Sequence, residues 1–144
     1  MLFRSVLNSC ITTENLGEIE AIADKAREWG VNLCYSAYSA RRTGCRDYFP
    51  SSPEQLAELG ARLDRVELRR DSANWIVNSP STLAATRQYF ANGGTPGCKA
   101  GQRFLVVTAD GALQPCSMQF QRYRLEDRAA MIDEFTATNQ CDEC

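Results

Sequence analysis

Seven cysteines and no histidine in 144 residues restrict what this chain can fold around. A secreted disulfide framework would show an even cysteine count and a loop-rich sequence, whereas here the count is odd and helical periodicity is evident. In a reducing compartment, clustered cysteines more often bind metal or do redox work. Without histidine, any metal site must be dominated by sulfur. An all-thiolate zinc site and an iron–sulfur cluster are therefore the leading chemistries. Cys98, Cys116, Cys141 and Cys144 lie late in the chain, and Cys10, Cys34 and Cys45 lie early.

The early part reads as α/β. Val6–Ile11 is a short apolar run, Leu16, Ile19, Ile22, Ala23 and Ala26 follow at helical spacing, and VNLCYSAY is a second extended run. Asn15 with Glu18 three residues on makes a capping pair, and Gly30 supplies the stop. Short connections between these segments imply a βαβ unit. Val6–Ile11 and Val31–Tyr38 are then adjacent parallel strands bridged by a helix over about Asn15–Trp29. Cys10 and Cys34 read as small apolar residues inside those strands, while Cys45, in a polar loop, has no assignment. Ser52, Pro53 and Gln55 mark the start of a second helix by a capping box, with Leu56, Leu59, Leu63 and Val66 as its buried stripe. NWIVNS is an extended link, and Ser79-Pro80 opens a third helix that Asn92-Gly93-Gly94 closes. The composition changes there. Residues 1–92 form the α/β part and 93–144 a small cysteine-bearing module.

Within that module QRFLVVTA is a strand, Asp110-Gly111 a hairpin turn and ALQPC the return, with Pro115 confined to a strand end or sheet edge. A two-residue turn puts Cys116 opposite about Leu105, so its thiol projects at the hairpin's open end. Cys98, in the Gly-rich lead-in, can fold back to that end. A helix over roughly Leu125–Thr138 can return the chain so that Cys141 and Cys144 arrive there as well. The spacing allows all four sulfurs to converge on one cation or cluster. Two other readings stay open: separate thiols, and a zinc site, although zinc ribbons usually offer two Cys-x-x-Cys knuckles and only one is present.

The run CKAGQRFLVVTADGALQPC, then a helix, then CDEC resembles the auxiliary-cluster module of radical S-adenosylmethionine enzymes, called SPASM in its full form and twitch in its short form. VLNSCITTENLGEIEAIADKAREWGVNLCYSAY is similar to the last βαβ portion of that family's partial (β/α) barrel. The resemblance implies a fragment of a partial (β/α) barrel followed by a small β-hairpin plus helix cluster-binding module. It implies an auxiliary [4Fe–4S] cluster on Cys98, Cys116, Cys141 and Cys144. It also implies S-adenosylmethionine near the strand ends, where Ser9, Thr12, Asn15, Tyr38 and Ser39 lie. The parent enzyme would make a deoxyadenosyl radical, act on a small-molecule or peptide substrate, and draw electrons from a flavodoxin or ferredoxin.

Two features depart from the family. Its defining Cys-x3-Cys-x2-Cys is absent, and Cys10, Cys34 and Cys45 are too widely spaced to replace it, so this chain by itself is expected to be inactive. The sequence also begins where such a barrel would be about two-thirds complete. MLFRS reads either as a strand's lead-in or as the translation of a sequencing-adaptor end, and with the stop at Cys144 the chain reads as clipped at both ends. A stand-alone zinc or iron–sulfur binding or electron-transfer module is the competing function. The net charge of −2 and basic residues only in short pairs argue against nucleic acid. No apolar run approaches the roughly 18 residues of a membrane span, and Met1–Ile11 lacks a cleavage-like pattern, so a cytoplasmic location is expected.

Overall fold

Strand β1, Val6–Ile11, pairs in parallel with β2, Asn32–Ala37, in a register that sets Leu7 beside Leu33 and Ile11 beside Ala37. The computed structural model describes residues 5–70 and 74–142. The chain divides into two compact units, Met1–Gly94 and Thr95–Cys144. The architecture is mixed α/β with small sheets.

In the first unit the link between the strands begins as a 3-10 turn, Leu16–Glu18, and continues as helix α1, Ile19–Glu28. Asn15 does not cap it. Its side-chain carbonyl accepts from the Thr12 N–H at 2.9 Å and its amide donates to the Cys10 carbonyl at 2.8 Å. Asn15 therefore secures the end of β1, a competing use of the same short side chain.

One-turn helix α2 spans Ala40–Thr43, and helix α3 spans Pro53–Leu68. Ser52 and Gln55 form the reciprocal capping box: the Gln55 N–H reaches the Ser52 hydroxyl at 3.2 Å, and the Ser52 N–H reaches Gln55 Oε1 at 3.1 Å. Helix α4, Pro80–Asn92, ends at Gly93 in the left-handed conformation.

Segment 75–78, expected to be a short extended link, joins β2 through an isolated parallel bridge between Ile76 and Leu33. The Leu33 N–H donates to the Trp75 carbonyl and the Val77 N–H to the Leu33 carbonyl, both at 2.8 Å, in parallel sense. One residue further on, the Asn78 side chain takes over the pairing. Its Oδ1 accepts from the Tyr35 N–H at 2.7 Å and its Nδ2 donates to the Tyr35 carbonyl at 2.8 Å. Asn78 is 5% exposed, so both partners depend on it.

Period-2 alternation separates the two faces of this sheet. Ile11, Leu33, Tyr35 and Ile76 belong to one core with Ile19, Ala23, Leu59, Leu63, Leu83 and Phe90, so α1, α3 and α4 all share the core on one face. Burying each large aliphatic side chain there contributes about 1.5–3 kcal/mol before entropy is counted. Glu20 of α1 binds α3 at the surface, accepting from Arg65 at 2.6 Å and from Arg62 and Arg69 at 3.1 Å. The Arg65 hydrogen bond, foremost, holds the Glu20 carboxyl below the usual carboxylate range.

The opposite face is open. Val6, Asn8 and Cys10 of β1 are exposed there, and Cys34 and Ser36 of β2 are only half-buried. Cys10 and Cys34 do lie within the strands, but they are not core residues. The alternation that sends Leu7, Ile11 and Leu33 toward the helices turns both cysteines away from them.

The second unit holds a minimal hairpin, β3 (Val106–Val107) antiparallel to β4 (Leu113–Gln114), with Val106 beside Gln114 and Val107 beside Leu113. The turn is one residue longer than the two-residue form. The Thr108 N–H donates to the Ala112 carbonyl and the Gly111 N–H to the Thr108 carbonyl, both at 2.9 Å, with Gly111 at φ +83°. That is the three-residue loop with a left-handed glycine. It shifts the register by one, so Cys116 does not face Leu105. A third extended segment joins at Tyr123, which exchanges both backbone hydrogen bonds with Leu113. The unit closes with a 3-10 turn, Leu125–Asp127, and helix α5, Arg128–Thr138. No helix among the described residues is long and apolar enough to cross a membrane.

Candidate metal centre

Three features of the second unit bring its cysteines together. Gly101, at φ +75°, donates its N–H to both the Phe104 carbonyl at 2.8 Å and the Pro115 carbonyl at 3.1 Å. The lead-in that carries Cys98 is thereby fastened beside the strand end that carries Cys116. Helix α5 is seated by buried Met131 and Phe135, by a Tyr123 hydroxyl to Glu134 hydrogen bond of 3.0 Å, and by Gln102 Nε2 to Thr136 Oγ1 at 3.0 Å. The chain leaving α5 then carries Cys141 toward the other two.

The result is a cavity of about 230 Å³ whose lining includes Cys98, Cys116 and Cys141 together with Phe104, Met118 and Phe135. Cys116 is buried, and Cys98 and Cys141 are half-buried. Two sulfurs already receive backbone donors. The Ala100 N–H points to Cys98 Sγ at 3.4 Å and the Met118 N–H to Cys116 Sγ at 3.3 Å. A hydrogen bond of this kind to a ligating sulfur tunes the potential of a cluster bound there. Among the described residues no group of three or more His, Cys, Asp or Glu side chains is close enough to hold a metal ion. Cys144, the fourth expected ligand, lies outside the described residues.

The donor set and its setting fit a sulfur-ligated group. The three thiols come from separate segments, Cys116 is buried while Cys98 and Cys141 are half-buried, and amides face two of the sulfurs. A second cavity of about 300 Å³ shares the Cys98, Phe135 and Cys141 wall and is polar elsewhere, with Lys99, Gln102 and Asn139 at its rim.

Comparison with protein-family models, with curated proteins and with solved structures found no match. The reading of the site therefore stands on its geometry.

The residues expected near S-adenosylmethionine divide. Thr12 and Asn15 sit just past the carboxyl end of β1, and Tyr38 just past that of β2, the end of a parallel sheet where α/β proteins bind ligands. Their loops meet: the Thr13 N–H donates to the Tyr48 carbonyl at 3.0 Å, and the Thr13 hydroxyl to the Asp47 carbonyl at 2.9 Å. Tyr38 is buried, however, with its hydroxyl engaged by Thr43 and by the Cys45 carbonyl. Ser39 precedes α2 without capping it through its side chain. Ser9 shares the helix-facing side of β1 with Leu7 and lines a groove there with Ile22 and Trp29, away from the open face. Cys45 is half-buried and contributes its carbonyl, not its thiol, to the described hydrogen bonds.

Gly101 gives a direct test of how the site is held. A Cβ at this position would touch the Phe135 ring at 3.4 Å, an ordinary contact, so the cost lies in the left-handed backbone. Gly101→Ala is expected to destabilise the second unit by about 1–2 kcal/mol. Urea unfolding followed through the fluorescence of a Phe104→Trp probe in that unit measures it, and an unchanged midpoint contradicts this account.

Proposed function

We propose that this chain carries the auxiliary-cluster part of a radical S-adenosylmethionine enzyme together with part of its barrel wall. The observation that carries the reading is the convergence of Cys98, Cys116 and Cys141, from three separate segments, on one cavity. The Cys98 and Cys116 sulfurs each receive a backbone amide, and hydrogen bonds to ligating sulfurs are among the levers that tune an iron–sulfur cluster.

The first unit supports the barrel part of the reading. β1, β2 and the 75–78 segment are parallel, and the helices share one face. Parallel strands are normally covered on both faces, yet Asn8 and Cys10 are exposed on the other. A face of that kind is what the interior wall of a (β/α) barrel presents when seen without its remaining strands.

When bound, the cluster would supply one-electron chemistry or a Lewis-acidic iron. The chain's own residues would do the rest. Cys98, Cys116 and Cys141 would ligate, with Cys144 as fourth ligand. The Ala100 and Met118 amides would donate to ligating sulfurs, and Phe135, with Met118 packed against it, would form the apolar side of the site. Reductive cleavage of S-adenosylmethionine needs a different cluster, whose Cys-x3-Cys-x2-Cys motif this sequence lacks.

The test is anaerobic reconstitution of the purified chain with iron and sulfide, followed by metal and sulfide analysis and electron paramagnetic resonance. About four irons and four sulfides per chain are expected, with no deoxyadenosine released on reduction with S-adenosylmethionine. Stoichiometric zinc that iron cannot replace would favour the structural-zinc reading instead. Deoxyadenosine release by this chain would overturn the assignment of its role.

A further inference from the structure

Asn139 links two of the cysteine-bearing segments. It follows the last turn of α5, and its N–H donates to the Phe135 carbonyl at 2.8 Å, closing the helix. Its side chain leaves the helix and divides its two functions. Oδ1 accepts from the Cys141 N–H at 3.0 Å, fixing the turn that presents Cys141. Nδ2 donates across the fold to the Cys98 carbonyl at 3.5 Å. Sequence reasoning passed over this residue, although Asn commonly forms such a turn with the backbone N–H two positions on.

We propose that Asn139 is a positioning residue of the metal centre, its carboxamide setting the spacing between Cys98 and Cys141. The proposal rests on the reading of this cavity as a metal site. Only a side chain with an acceptor and a donor on one planar group can meet both main-chain partners at once. Aspartate offers acceptors alone, and alanine offers neither. The physical need is clear. Two thiolates brought to ligand distance repel each other, and a flexible segment at Cys141 would have to be ordered at the moment of binding. A clasp that orders the segment beforehand removes that entropic cost from the binding step. Outer-shell partners of this kind act on affinity and electronic properties without touching the metal.

The experiment uses the full chain loaded anaerobically with iron and sulfide, with iron retention measured against a chelator and the reduction potential by titration. Asn139→Ala should lower iron affinity by about 10–100-fold, with α5 helicity by circular dichroism unchanged. Asn139→Asp, nearly isosteric, keeps the acceptor for the Cys141 N–H and loses the donor to Cys98. It should weaken retention similarly and, by adding negative charge, lower the potential. Cys116→Ala serves as the reference. If that variant loses its iron while both Asn139 variants match the parent in retention and potential, the clasp is refuted and the metal site stands. If Cys116→Ala also loads normally, the metal site itself is refuted, and the clasp with it.

Discussion

Cys116→Ala is expected to abolish cluster assembly, leaving well under one iron per chain and no thiolate-to-iron absorption. Cys116 is the most buried of the three thiols described around the cavity, and its sulfur receives the Met118 amide. Its removal would take away a ligand where no water-exposed side chain can take its place. Cys98→Ala and Cys141→Ala should act in the same direction. Cys10→Ala with Cys34→Ala provides the contrast. Those thiols lie on the open face of a different unit, and their loss should leave iron content unchanged. Iron lost equally from both sets would mean that thiols bind it indiscriminately.

Asn78→Ala should be among the most destabilising single changes in the first unit. It leaves the N–H and the carbonyl of buried Tyr35 without partners at once. An unsatisfied buried polar group costs about 1–3 kcal/mol, so the pair should cost about 2–6 kcal/mol. Asn78→Asp keeps an acceptor for the N–H but sets a carboxylate against the Tyr35 carbonyl, so it too should destabilise. Urea unfolding compares the three proteins. A shift under about 0.5 kcal/mol for the alanine variant, the range of an ordinary surface change, would show that water replaces the side chain.

What was legible in the sequence follows from how local each signal is. The Ser52 capping box and the Gly93 stop depend on residues within one turn of one another, the βαβ order on short apolar runs joined by short connections, and the structure carries them as read. The bridge of the extended 75–78 segment to β2 was not legible. NWIVNS is too short to show alternation, and its partner Leu33 lies far back in the chain. The hairpin register failed for a different reason. Asp-Gly marks both a two-residue turn and the last two positions of a three-residue loop, and the Thr108 to Ala112 hydrogen bond, with Asp110 outside the left-handed region, distinguishes them. Asn15 was read as a cap because caps and strand-end ties use the same residue type. Cys98, Cys116 and Cys141 line one cavity, whereas the hydrogen bonds of the Asn139 side chain to Cys141 and Cys98 depend on how the chain folds back and carry no signal in spacing.

The placement of those three cysteines also bears on how the second unit stays folded. Among its described residues the buried hydrophobic side chains are few: Ala100, Leu113, Cys116, Met131 and Phe135. So small an apolar core stabilises weakly. Cys98 lies near the beginning of the unit, Cys116 in its middle and Cys141 after its last helix. A group ligated by all three closes two loops in succession and acts as a cross-link, so its binding energy becomes folding energy. Oxygen or a chelator that strips such a group would act as a local denaturant. It would expose residues beyond Gly94 to proteases while the helix-backed sheet before it remained intact.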